Sequence, residues 1–127
     1  MPNNNNLRIL VVEDEADLQD ILAELLPYYN LSVDVASSAE QALDLLAHNS
    51  YAGAMIDIGL PGMDGCALVK MIHNQSATQE LPCVAMSAWH SSAMKRNALE
   101  AGFNTYFAKP FVPETIVHDL KAAIGLI

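Results

Sequence analysis

The stretch Leu7-Arg8-Ile9-Leu10-Val11-Val12-Glu13-Asp14 decides the fold. It is a β-rich run, nearly all apolar, that leads directly into two adjacent carboxylates. A strand with apolar side chains on both faces must be covered on both faces, as in a parallel sheet layered with helices. The acids then stand beyond the carboxyl end of the strand, where open α/β sheets build their sites.

Downstream the same alternation repeats. Leu18, Ile21, Leu22 and Leu25 recur at helical spacing and predict a first helix, with Pro27 near its end. Ser32-Val33-Asp34-Val35-Ala36 is a polar-spaced strand suited to a sheet edge. Ser38-Ala39-Glu40-Gln41 is a capping-box pattern opening a second helix, whose buried stripe is Ala42, Leu43 and Leu46. A third strand over 52–56 ends at Asp57, and Leu68, Met71 and Ile72 mark a third helix. Cys83-Val84-Ala85-Met86 is a fourth strand ending at Ser87. A weakly apolar helix over 92–101 follows, stopped by Gly102. Thr105-Tyr106-Phe107-Ala108 is the fifth strand. Pro113-Glu114 opens the last helix, which carries Ile116, Val117, Leu120 and Ile124. Strands strictly alternating with helices imply an α/β domain, a doubly wound parallel sheet with helices on both faces.

The composition sets bounds on function. A chain of 127 residues, 52% hydrophobic, fits one domain with a real core. Met1-Pro2-Asn3-Asn4-Asn5-Asn6 reads as a polar tail over 1–6, with the domain spanning 7–127. The tail lacks the basic and apolar segments of a signal peptide, and no run approaches ~18 apolar residues, so no membrane partner and a cytoplasmic location are expected. Fifteen acidic against six basic residues give a net charge of −9. Direct nucleic-acid binding needs a basic face and is not expected; an acidic balance suits a cation or a basic partner. Cys66 and Cys83 have no CxxC spacing and read as structural thiols. His48, His73, His90 and His118 are too scattered for a metal site and read as surface or partner-facing residues.

The polar residues fall in a pattern. The first strand ends in Glu13-Asp14, the third in Asp57 and the fourth in Ser87, and Lys109 stands just past the fifth. Each alone has a plain reading, as a helix cap, a turn residue or a solvated end. Together they converge on one edge of the sheet. Clustered carboxylates repel one another, and a hard divalent cation relieves that repulsion; oxygen ligands favour magnesium. A cation, an ammonium, a hydroxyl and one carboxylate nucleophile suit a phosphoryl group attacked in line.

These residues carry a resemblance. Asp57-Ile58-Gly59-Leu60-Pro61-Gly62-Met63-Asp64-Gly65, Val12-Glu13-Asp14, Ser87-Ala88 and Tyr106-Phe107-Ala108-Lys109-Pro110-Phe111 match the signatures of response-regulator receiver domains of two-component signalling, and the chain resembles that family from about Leu7 to Ile124. The resemblance implies a flavodoxin-like five-stranded sheet of order 2-1-3-4-5, with the Lys109–Pro110 peptide cis. It implies Asp57 as phosphoacceptor and a metal site for magnesium (or manganese). That site is made of Asp14, Asp57 and the Gly59 carbonyl, with Glu13 binding directly or through water. Lys109 would pair with a phosphoryl oxygen, Ser87 would bond another, and Tyr106 would swing inward as the Ser87 hydroxyl moves, with small Ala88 leaving it room. The implied partners are a sensor histidine kinase or histidine phosphotransfer protein as donor, and a downstream output domain or protein. That output would be controlled through the face of the fourth helix, fifth strand and fifth helix. A homodimer through that face is compatible with the resemblance. Such a chain is a signalling switch that catalyses its own phosphorylation and dephosphorylation, not an enzyme acting on a separate substrate.

The sequence departs from the family pattern in places. Glu13 stands where aspartate is commoner, and Val112 offers no side-chain cap to the last helix. Gly59 projects nothing over Asp57, and Trp89 places a ring two residues past Ser87. Neither can orient water, so slow loss of the phosphoryl group is expected, with Trp89 as the main shield. An aspartate-nucleophile phosphatase would want a second acid where Gly59 stands. A flavin carrier would want a phosphate loop where Glu13-Asp14-Glu15 stands. A receiver-like scaffold that is never phosphorylated is disfavoured by the presence of acid pair, acceptor, hydroxyl and lysine together.

Overall fold

Along Leu7–Val12 (β1), Ile9 and Val11 face one side of the sheet and Leu10 and Val12 the other, and all four are fully buried. The computed structural model describes residues 7–88 and 91–126. Among these, β1 is joined by β2 (Leu31–Ala36), β3 (Gly53–Asp57), β4 (Cys83–Ser87) and β5 (Thr105–Ala108) in one parallel sheet of order β2-β1-β3-β4-β5. The helices α1 (Ala16–Leu25), α2 (Ala39–His48), α3 (Gly65–His73), α4 (Ser92–Ala101) and α5 (Pro113–Ala123) alternate with the strands. This is the expected doubly wound, flavodoxin-like α/β fold, with the polar-spaced β2 at an edge.

Period-two alternation divides the core into two layers. Leu10, Val12, Ala54, Ile56 and Ala85 pack against α2, α3 and α4 through Ala42, Leu68, Val69, Ile72 and Ala98. Ile9, Val11, Met55, Val84 and Met86 pack against Leu22 of α1 and Ile116, Val117 and Leu120 of α5. Two apolar positions differ from the helical pattern expected. Met71 and Ile21 lie on outer shoulders of their helices, 40% and 49% exposed, while Val69 and Leu26 are the buried neighbours. A single helical turn offers several apolar side chains, and contact with the sheet selects among them.

Local chemistry sets the helix ends. Ser38, Asp64 and Ser91 cap α2, α3 and α4 by accepting from the backbone N–H of Gln41, Ala67 and Met94. Gln41 does reach back, but its amide oxygen accepts from the N–H of Ser37, one residue before the cap. Val112 gives α5 no side-chain cap, as expected. Helix α1 stops at Leu25, and Pro27 sits in a 3-10 turn, Leu26–Tyr29, closed by left-handed Asn30. Gly102 ends α4 at φ 126°, and a Cβ there would lie 2.8 Å from Nδ1 of His73. His73 is therefore not simply a surface residue: its Nε2 lies 2.8 Å from the Leu81 carbonyl, tying α3 to the start of β4. Cys66 and Cys83 are free thiols, and Cys83 is buried, its pKa pushed up to about 12 by desolvation.

Candidate functional site

Every parallel strand ends at the same edge of the sheet, so residues far apart in sequence meet there. The backbone builds this edge before any side chain is considered. Glu13 N–H donates to the Ala36 carbonyl at 3.0 Å, Ile58 N–H to Met86 at 2.8 Å, and Lys109 N–H to Ser87 at 2.7 Å. The turn after β3 is equally tight: a Cβ on Gly65 would come within 2.6 Å of the Asp57 carbonyl oxygen. Only glycine allows α3 to start that close to the end of β3. The Lys109–Pro110 peptide is cis, as expected.

Glu13 and Ser87 are buried and Asp57 is 6% exposed, whereas Asp14 is exposed. Glu13, Asp14 and Asp57 each offer a carboxylate oxygen, and these oxygens lie within 4.8 Å of one another. The Lys109 ammonium closes the group. It lies 2.8 Å from Glu13 Oε1, 3.4 Å from Asp57 Oδ2 and 3.4 Å from Glu15 Oε1. The second oxygen of Glu13 accepts from the Glu15 N–H at 3.1 Å, and Asp57 Oδ1 accepts from the Gly59 N–H at 3.0 Å. Tyr106, half-buried on β5, packs against the α2–α4 layer.

Burial pushes the Glu13 carboxyl above its ordinary pKa, with the Asp57 charge adding to the rise, against the lowering pull of Lys109 and the Glu15 N–H. Burial works against the Lys109 ammonium, but its hydrogen bond to Glu13 and the charges of Asp57 and Glu13 outweigh it. The Lys109 pKa is raised. Three hard oxygen donors around one point, two of them buried, fit a divalent cation such as magnesium, which relieves a repulsion that one lysine cannot fully cancel.

The structure thus brings together Glu13, Asp14, Asp57 and Lys109, and sets Ser87 at the end of the strand beside Asp57. Trp89 and His90, and with them the shielding role expected of Trp89, lie outside the described residues. Two contributors carried no sequence signal. Glu15 donates its backbone N–H to Glu13 and turns its carboxylate toward the Lys109 ammonium. Gln19 donates its side-chain amide to the Glu13 carbonyl and to Ser37 Oγ, pinning the acidic loop to the β2–α2 turn.

An acidic site at the carboxyl edge of a doubly wound sheet, closed by a lysine just after the last strand, is the arrangement that the resemblance implied. The family model for the response regulator receiver domain matches residues 9–121, and the chain belongs to that family. It is 31% identical over 124 residues to the transcriptional regulatory protein ResD of Bacillus subtilis, an alignment covering 98% of this chain and 50% of ResD. The chain spans about half the length of the first curated relatives it matches. A solved structure from Chloroflexus aurantiacus J-10-fl, assigned as a response regulator, superposes with a TM-score of 0.89 at 31% identity, covering 93% of this chain and 97% of that one. The receiver domain of the sensor histidine kinase PA1611 from Pseudomonas aeruginosa PAO1, solved with a magnesium ion coordinated in its active-site cleft, gives 0.86 at 28% identity, covering 94% and 98%. The chain is a two-component signal-transduction domain.

Proposed function

We propose that this chain accepts a phosphoryl group on Asp57 from a phosphohistidine donor in a magnesium-dependent reaction. The phosphorylated form then switches the face of α4, β5 and α5 to control a partner or output domain. The observation that carries the reading is the convergence of Glu13, Asp14 and Asp57 within 4.8 Å, with the Lys109 ammonium 3.4 Å from Asp57.

In this reading residues 7–127 form the receiver unit, working in the cytoplasm where histidine kinases and phosphotransfer proteins present their phosphohistidine. Asp14 and Asp57, with the Gly59 carbonyl, hold magnesium or manganese, and Glu13 takes part directly or through water. The bound cation supplies positive charge to the phosphoryl oxygens and to the developing acyl phosphate. One carboxylate oxygen of Asp57 forms the new O–P bond as the N–P bond of the donor breaks, its electron pair staying on the donor imidazole. Gly59 N–H orients the attacking carboxylate through Asp57 Oδ1. Lys109 moves its ammonium onto a phosphoryl oxygen, and the Ser87 hydroxyl donates to another. The hydroxyl shift vacates space beside small Ala88, and the Tyr106 ring turns inward, changing the α4–β5–α5 face. The same groups present the acyl phosphate to water, so the domain promotes its own dephosphorylation without acting on a separate substrate.

The test is incubation with phosphoramidate or acetyl phosphate, with magnesium and with chelator, read by intact mass. One added phosphoryl group with magnesium and none with chelator is expected. No addition under either condition returns the chain to the reading of an unphosphorylated scaffold.

A further inference from the structure

A groove runs between α3 and α4. The part nearer the start of the helices, about 640 Å³, has Cys66 and Lys70 on the α3 wall and Met94, Asn97 and Glu100 on the α4 wall. A second hollow of about 430 Å³ shares Lys70 and Ala101 with the first and extends the groove to Met71, which is 40% exposed. Among the described residues, no ion pair or hydrogen bond engages the Lys70 ammonium or the Glu100 carboxylate. One wall thus carries an unmatched cation and the other an unmatched anion, with apolar side chains between them.

The scarcity of positive charge gives this pair weight. The chain has six basic residues and a net charge of −9. Arg8 is paired with Asp34, Lys109 is held in the acidic site, and Lys121 lies over the Tyr29 ring at 5.4 Å. Lys70, Lys95 and Arg96 remain, all on α3 or α4, so an acidic surface that docks on this domain is drawn to those two helices. Of the three, Lys70 lines the α3–α4 groove, whereas Lys95 and Arg96 border a separate hollow beside Leu99. A second copy of the chain supplies an acidic surface that carries the same groove.

We infer that the chain self-associates in solution through the α3–α4 groove, as an isologous pair in which Lys70 of each copy meets Glu100 of the other. Helices α3 and α4 follow parallel strands and pack on the same face of the sheet, so they run in the same direction. A two-fold axis along the groove therefore lays α3 of one copy over α4 of the other and forms both ion pairs at once. Met71 and Met94 supply adaptable apolar contact beside the charges. The contact uses the side of α4 turned toward α3 and needs no phosphoryl group, so it stands or falls independently of the proposed reaction.

The test is sedimentation equilibrium of the intact chain over a concentration series, with no phosphoryl donor present and the folding of each variant checked by circular dichroism. The wild type should show a reversible monomer–dimer equilibrium. Lys70→Glu and Glu100→Lys should each weaken it about tenfold or more, and the two substitutions together should restore it. Net charge alone predicts otherwise: Glu100→Lys makes the chain less negative and would strengthen association. Lys95→Glu, in the separate hollow, should leave the dimer intact. A chain that stays monomeric throughout overturns the inference. So does a dimer that survives both single reversals, or one that Lys95→Glu dissolves while Glu100→Lys does not.

Discussion

Lys109 and Glu13, separated by 96 positions in the chain, meet through a 2.8 Å ion pair that buries the glutamate completely. The pair sets the resting charge of the site. One of three clustered carboxylates is matched, and Asp57 is left with a longer contact to the same ammonium. The expected behaviour of variants follows from that division.

Asp57 stands at the end of β3 with one oxygen oriented by Gly59 and the other facing Lys109. Asp57→Asn keeps the shape and removes the nucleophile. It should abolish phosphoryl addition from small-molecule donors, as read by intact mass; equal labelling of wild type and variant would remove Asp57 as acceptor.

Asp14 is the exposed member of the acidic trio, so its loss should cost little stability. Asp14→Ala should weaken magnesium binding about tenfold or more, which is ~1.4 kcal/mol or above. Calorimetric titration measures this directly, and unchanged affinity would take Asp14 out of the ligand set.

Gly65 meets the backbone of Asp57 and Ile58, where nothing flexible can yield. Gly65→Ala should destabilise the fold by about 1–3 kcal/mol, the usual cost of overpacking. Denaturant unfolding reads the loss, and a variant as stable as wild type would show that α3 can start further from β3.

At the opposite edge of the sheet, Tyr51 donates its hydroxyl to Asp34 Oδ2 at 2.7 Å, and Arg8 pairs with the same carboxylate. Burial, the bond to Asp34 and its charge push the Tyr51 pKa up to about 12. A group with a raised folded pKa contributes stability that is present below its unfolded value near 10 and lost as pH rises toward 12. The raised Lys109 acts in the same direction, so the informative comparison is with Tyr51→Phe. That variant should lose stability less steeply than wild type above pH ~10; parallel curves would deny Tyr51 the effect.

Gly59 leaves the approach to Asp57 bare, and a Cβ there would sit 3.7 Å from Asp57 Oδ1 without a clash. Gly59→Glu adds a group able to orient water, and it should shorten the lifetime of the phosphorylated form several-fold. Decay is followed by intact mass after the donor is removed. A variant decaying at the wild-type rate would rule out water access at this position as the limit.

The fold was legible because β1 carries apolar residues on both faces and the helices recur between strands with their own stops and caps. Strand ends at Glu13, Asp57 and Ser87, and Lys109 beyond the last strand, placed the site on one edge before any coordinates. Three things were not legible. Met71 and Ile21 share a helical stripe with residues that are buried, and only contact with the sheet decides which of them is covered. His73 reads as one more scattered histidine until Gly102 and Leu81 close around it. The saturation of Glu13 depends on a backbone N–H at Glu15 and an amide at Gln19, which leave no mark in residue spacing.

The lysine that completes the site follows β5, an outer strand of the sheet and the last of the five in sequence. During synthesis the acids of the first and third strands leave the ribosome well before their counter-charge. A nascent chain folded only through β4 would carry its carboxylates together with no ammonium among them. The topology thereby sets an order of assembly: the acidic edge gains its ammonium only when the final strand has paired.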